Sequence, residues 1–201
     1  MFKKFEDYNF RELDRKIVLV KSVENKFDNY GIENLENPFL GYLYIDADCG
    51  FRLRILGNEN NQKMIKEYCN ESVVIVSNDC FEKMKFMIYD KEIDTYNLEE
   101  QIDNYYMHNE LNKTRMIEEV DDLRNARYPD DVQVLIPFKD KNELLWGKLV
   151  GVSEIEKLFI VCIIADSYYS DELKVGTFIA CKLETIKDKK YLVIEAIVER
   201  K

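Results

Sequence analysis

Histidine is nearly missing from this chain of 201 residues, so a Ser-His-Asp or Cys-His catalytic apparatus would have to be built around His108 alone. No G-x-S-x-G run accompanies it, and its neighbours Tyr106, Asn109 and Glu110 suit a polar helix on which a histidine simply faces water. Glycine is scarce too, with 7 in all. Neither G-x-G-x-x-G nor the P-loop pattern occurs, which leaves P-loop ATP chemistry and Rossmann-type nicotinamide chemistry without a phosphate cradle. The 5 cysteines (Cys49, Cys69, Cys80, Cys162 and Cys181) include no C-x-x-C pair and are separated by 19, 10, 81 and 18 intervening residues, too far to begin a thiolate zinc site. They read as reduced thiols serving as small core hydrophobes, Cys162 most clearly because it lies inside the apolar run 159–164. No cofactor and no metal site is expected.

Long hydrophobic runs are absent as well. The longest, residues 158–165, falls far short of the roughly 20 residues that cross a bilayer and suits a buried strand, so no membrane span is expected. The opening residues 1–7 hold two lysines with no apolar stretch behind them; no secretory signal is expected, and a cytoplasmic location follows.

What is present is the composition of a globular protein, 46% hydrophobic and 34% charged. The formal net charge of −10 opposes a phosphate backbone, so nucleic acid is not an expected partner. The charge is unevenly spread: residues 90–129 carry 5 basic against 11 acidic groups and so hold −6 of the −10. Glu118, Glu119, Asp121 and Asp122, with Glu99, Glu100, Asp103 and Glu110 upstream, surround an apolar stripe, and such a surface concentrates and steers a basic partner. A merely solvated helix face is the plainer role, and Glu99 and Glu100 would favour a first helical turn in any case. Trp146, the only tryptophan, is a second candidate contact, since tryptophan is over-represented at binding hot spots. On these grounds Glu118, Glu119, Asp121, Asp122 and Trp146 are the expected binding residues for a basic protein partner. Nothing in the sequence fixes an oligomeric state.

Patterning along the chain implies an α+β fold in three parts: residues 1–95, a central helical segment 96–129, and a β-rich part 130–201. The first part reads as a mixed sheet with one helix. Residues 16–21, 73–76 and 84–89 have strand character, and residues 42–46 and 51–56 form the clearest hairpin, turning at Asp48-Cys49-Gly50 where Gly50 supplies a positive φ. Residues 60–69 place Met64, Ile65, Tyr68 and Cys69 on one helical face. Asp46 and Asp48 suggest a hard-cation site, but Arg52 and Arg54 on the facing strand make a cross-strand charge ladder the better expectation. In the central segment, Asn97 with Glu100 suggests a capping box. The stripe Leu98, Ile102, Tyr105 and Tyr106 slips out of phase before Ile117, Val120 and Leu123. Two helices or one kinked helix are therefore expected, with Thr114 capping the new start and an end before Tyr128-Pro129. Five short strands from residue 131 onward fit a bent sheet or partly open barrel.

The run Arg124-Asn125-Ala126-Arg127-Tyr128-Pro129, the Trp146 strand, and Leu173-Lys174-Val175-Gly176-Thr177 before another strand resemble small bacterial domains of unknown function. Some of those domains are met as immunity or toxin-neutralising proteins. The resemblance covers about eighty residues and implies no particular site; beside the acidic segment and the missing catalytic motifs, it favours a non-catalytic protein that binds a basic partner, an immunity protein for instance. Two other readings stand beside it: a small-ligand binder or hydrolytic enzyme using carboxylates in a cleft between subdomains, and a module that self-associates through a strand edge.

Overall fold

In a computed structural model, which describes residues 1–22, 35–70, 74–95, 97–106, 109–153 and 156–198, the chain forms two units, Met1–Met107 and His108–Lys201. The fold is α+β, with a five-stranded sheet in each unit. The division falls within the helical stretch 96–129. His108 lies outside the described residues.

In the first unit, strands β1 (Lys16–Ser22), β2 (Phe39–Asp46), β3 (Gly50–Gly57), β4 (Ile75–Ser77) and β5 (Met84–Ile88) lie in the order β4-β3-β2-β1-β5. Every pairing is antiparallel, where a mixed sheet was expected, because β5 returns along the free edge of β1 against its direction. Opposite edges of this sheet, β4 and β5, are joined by a six-residue 3-10 turn, Asn78–Lys83. Four inter-strand spacings amount to about 19 Å, whereas six 3-10 residues advance only about 12 Å, so the sheet must curl its edges toward each other. Phe81 of the turn closes the concave side with Phe5, Phe51 and Phe86.

Helices α1 (Phe10–Leu13), α2 (Gln62–Asn70) and α3 (Leu98–Tyr106) complete this unit. Ile65 and Cys69 of α2 and Leu98 and Ile102 of α3 pack with Leu40, Tyr42, Tyr44 and Leu56 on the second face of the sheet. Burial on both faces explains why β2 and β3 are apolar almost throughout.

The β2–β3 hairpin forms as expected, with Gly50 at φ 67. The charge ladder does not. Asp46 instead accepts the amides of Asp48 and Cys49 at 2.8 and 2.9 Å, holding the turn. Arg54 turns to α2, donating to the carbonyls of Tyr68 and Cys69 at 2.9 and 2.7 Å and to Gln101 at 3.1 Å. Of the two arginines, Arg52 is the one that stays within electrostatic range of Asp46. Asn97 is no capping-box residue either: its backbone is left-handed at φ 67, not extended, and what it offers α3 is its carbonyl, which accepts from Gln101. Tyr105 is 79% exposed and drops out of the expected stripe, since α3 ends before it reaches further core.

The second unit is a closed barrel of β6 (Asp131–Pro137), β7 (Asn142–Ser153), β8 (Leu158–Ile163), β9 (Phe178–Ile186) and β10 (Lys189–Val198). Consecutive strands pair antiparallel, so the first and fifth point the same way, and the barrel closes through the parallel pairs Leu192–Val134 and Val193–Leu135. Alternate residues such as Val134, Leu149, Val161, Ile179 and Leu192 fill the inside. A Cβ at Gly147 would collide with Val161 Cγ1, so β7 and β8 meet at a spacing that glycine alone permits. The run 158–165 is not a wholly buried strand. Its burial alternates, and Cys162, expected in the core, points outward beside Lys148 and Phe178. Cys69 and Cys181 are the buried thiols, and burial pushes them up to about 11 and about 12.

Helix α4 (Asn109–Arg115) and a 3-10 turn, Glu118–Leu123, precede the barrel. Thr114 caps no new helix; it sits in the last turn of α4, buried, where its hydroxyl donates to Leu111 O at 2.8 Å and lies 3.4 Å from Leu149 O. Arg115 donates from Nε and Nη2 to both oxygens of Asp130 at 2.8 and 2.6 Å, with each side chain 5% exposed. Asp130 in turn places its carbonyl on Leu149 N at 2.7 Å. This bidentate pair ties α4 to the strand that starts the barrel.

Among the described residues no helix is long and apolar enough to cross a membrane, and no three His, Cys, Asp or Glu side chains converge to hold a metal ion.

Packing around Asp130 and Asp131 has measurable consequences. Arg115→Met or Asp130→Leu alone strands a buried charge and should cost about 3–5 kcal/mol in urea unfolding, while the double variant should cost well under the sum of the two. Asp131, beside Lys148 across the strands, has its carboxyl raised to about 6 mainly by burial, with Asp130 adding to the effect and Lys148 opposing it. A carboxyl raised on folding contributes stability that is full below its ordinary pKa and lost as pH climbs through 6. Asp131→Asn should therefore melt above the parent at pH 7.5, and the gap should close as pH falls toward 4; thermal melts across that range decide it.

Candidate functional site

Residues 117, 120 and 123 recur at a spacing of three, which is the 3-10 period, and they turn one side of the Glu118–Leu123 turn inward. Val120 and Leu123 are buried in the barrel core and Ile117 packs against it. With that side fixed, Glu118, Glu119 and Asp122 are driven outward. Asp121 is different. Its side chain is 16% exposed and accepts from Arg124 Nε at 3.1 Å. The acidic surface expected on an α-helix is thus a one-sided 3-10 turn presenting three outward carboxylates, with the fourth committed to structure.

Arg124, whose side chain is 2% exposed, also donates to Pro129 O and Thr114 O at 2.7 Å each. Asn125 Oδ1 accepts the amides of Arg127 and Tyr128 at 2.9 and 3.2 Å, the local bond of an Asx turn. The Arg124–Pro129 motif that carried the sequence resemblance therefore has a definite structural role, closing the end of α4 and aiming the chain into β6.

Beside the acidic turn lies an open groove of about 990 Å³. Thr114, Ile117 and Glu119 form one wall; Val150, Val152, Phe159 and Leu183 form the opposing wall and floor. The groove opens where β7 carries a register shift between Leu149 and Gly151, which turns Val150 out of the regular ladder. Gly151 has ordinary space around a Cβ, its nearest neighbour at 3.8 Å. Charges rim the groove: Glu110, Glu119 and Glu156 against Lys113, Lys157 and Lys182. Lys182 is already met by Glu195 at 2.8 Å.

Trp146 stands elsewhere. It is half-buried on the outer face of β7, opposite Gln133, and does not line the groove. Of the five expected contact residues, Glu119 lines the groove, Glu118 and Asp122 flank it on the same turn, Asp121 serves Arg124, and Trp146 is separate. The groove walls on β7, β8 and β9 were not legible beforehand, because they come from three strands whose pairing alone brings them together.

No protein-family model, curated protein or solved structure matches the chain.

The four acids should respond differently to truncation. Asp121→Ala leaves the buried guanidinium of Arg124 short of its anion and should cost about 1.5–3 kcal/mol, whereas Glu118→Ala, Glu119→Ala and Asp122→Ala should each stay within about 0.5 kcal/mol of the parent. Urea midpoints of the four single variants separate the cases; equal losses would show that Asp121 plays no special part.

Proposed function

We propose that the protein is a non-catalytic binding protein, and that the groove of the second unit, with the acidic turn on its rim, takes a basic segment of a protein partner. The observation that carries this reading is the turn itself: its inward side is anchored in the barrel core, so its three outward carboxylates are held beside an apolar groove at little ordering cost. With Lys182 met by Glu195, the surroundings hold Glu110, Glu118, Glu119, Asp122 and Glu156 against Lys113, Lys157 and Lys190, whose Nζ lies 3.4 Å from Glu119 O. That negative excess speeds encounter with a cationic surface, and the floor of Val152, Phe159 and Leu183 offers an apolar side chain somewhere to anchor. A cationic toxin is the kind of partner such a surface neutralises, and the resemblance of the Arg124–Pro129 region to small bacterial domains, some of which are immunity proteins, is in keeping with it.

The test is binding of any basic protein encoded beside this chain, measured by calorimetry over a series of salt concentrations. Affinity should fall steadily with ionic strength, since rim charges are screened over about 8–10 Å at physiological salt. The triple variant Glu118→Lys, Glu119→Lys, Asp122→Lys should bind at least about tenfold more weakly and lose most of the salt dependence. Gly151→Leu, which fills the groove without straining the backbone, should weaken binding and leave the salt slope in place. Salt-independent binding, or an unchanged affinity in both variants, overturns the reading.

A further inference from the structure

The first unit carries a concavity of its own, independent of the groove in the second. It lies among β1, β2, the end of β5 and the chain leading into α3, is an open depression of about 490 Å³, and is lined by Arg15, Ile17, Tyr42, Tyr89, Ile93 and Glu99 among others. A volume of this size falls within the range of small-molecule sites, about 300–1,000 Å³.

Tyr42 sets the chemistry. It is 2% exposed, and its hydroxyl makes no hydrogen bond among the described residues. A buried hydroxyl without a partner is a standing cost that phenylalanine would not incur. Burial and the nearby Glu99 push the phenol above its ordinary range, so at neutral pH the group keeps its proton and is a donor lacking an acceptor.

The charged groups acting on this hydroxyl are Glu99, Arg15, Asp14 and Asp103. Arg15 gives two N–H groups to Asp103, at 2.5 and 3.3 Å, out of the five a guanidinium carries. Lys91 and Tyr89, also in the lining, are both committed to Glu59 at 2.8 Å. The concavity thus offers donors from Tyr42 and Arg15 and carboxylate acceptors from Glu99, Glu92 and Asp94, Glu99 being the one of these that acts on the Tyr42 hydroxyl, with Ile17 and Ile93 as apolar wall.

We propose that this cavity binds a free α-amino acid. Its carboxylate accepts from the Tyr42 hydroxyl and from Arg15, its ammonium donates to Glu99, and its side chain rests on Ile17 and Ile93. A simple amine would leave the Tyr42 proton without an acceptor; a simple carboxylate would have nothing to offer Glu99. A zwitterion with its two charges on one carbon satisfies both.

The test uses the full chain and the common L-amino acids one at a time, each beside its N-acetyl derivative and its amide, read by thermal shift and calorimetry. At least one amino acid should raise the melting temperature in a concentration-dependent way, and blocking either end should weaken it about tenfold or more, the loss expected of one charge-assisted hydrogen bond. Tyr42→Phe keeps the ring, so it should fold and melt at or above the parent when empty, yet bind about tenfold or more weakly. Glu99→Gln should weaken the free amino acid about tenfold or more, far beyond the small drop in the empty protein's melt that removing a first-turn carboxylate from α3 brings. A panel in which no amino acid shifts the melt, an N-acetyl derivative or amide that binds as well as its parent, or a Tyr42→Phe variant that binds undiminished would each overturn the proposal. None of these outcomes bears on the groove of the second unit.

Discussion

Short helical pieces leave carbonyls without partners, and in both units a buried arginine gathers them. Arg54, on β3, reaches the last carbonyls of α2. Arg124 reaches Thr114 O in the last turn of α4 and Pro129 O in the segment that enters β6. A helix of nine or seven residues cannot stand alone in water, so these ends must be fixed by tertiary contacts or the helices do not form. The guanidinium suits this role because it carries five donors in a rigid fork and stays charged at any pH the protein meets. Such an arginine can be buried only if anions or carbonyls surround it, which is why Arg115 and Asp130 are paired through two bonds.

That constraint shapes what the surface can offer. Once Arg124 and the apolar side of the 3-10 turn are fixed, Glu118, Glu119 and Asp122 have no inward alternative, and the outward acids are presented as one set. The barrel contributes the opposing wall because β7 shifts register after Leu149 and releases Val150 from the regular ladder, while Val152 stays paired with Phe159. In the first unit the same constraint produces the opposite result: Arg54 and Arg15 find partners, while Tyr42, on the strand next to both, is left with a hydroxyl that nothing described satisfies. Both concavities are therefore consequences of how the polar groups around them were satisfied.

Much of the framework was readable in the residues. The hairpin of β2 and β3 is announced by alternation around Gly50, and five short strands after residue 131 announce the barrel. The central segment misled in an instructive way. A spacing of three at Ile117, Val120 and Leu123 is itself the signal for a 3-10 turn, but over six residues it differs little from the 3.6 period of an α-helix. Asn97 and Thr114 are residue types that favour caps, yet one took a left-handed backbone and the other a place inside α4, because packing against the strands decided where those helices begin. Arg115, Asp130 and Arg124 drew no attention as a structural set, since charged residues in a charged sequence look solvated until burial is known.

The α+β class, the hairpin, the five strands of the second unit and the concentration of acid between residues 90 and 129 are all written in the order of the residues. These depend on local spacing and composition, which the chain carries from residue to neighbour. Three-dimensional packing settles the rest: β10 closes on β6, Asp121 is held by Arg124 while its neighbours face outward, Trp146 stands outside the groove, and Tyr42 is buried without a hydrogen-bond partner for its hydroxyl among the described residues. Each of those outcomes depends on residues brought together in space, and the energy of a buried charge or hydroxyl depends on what lies beside it there, which no local pattern records.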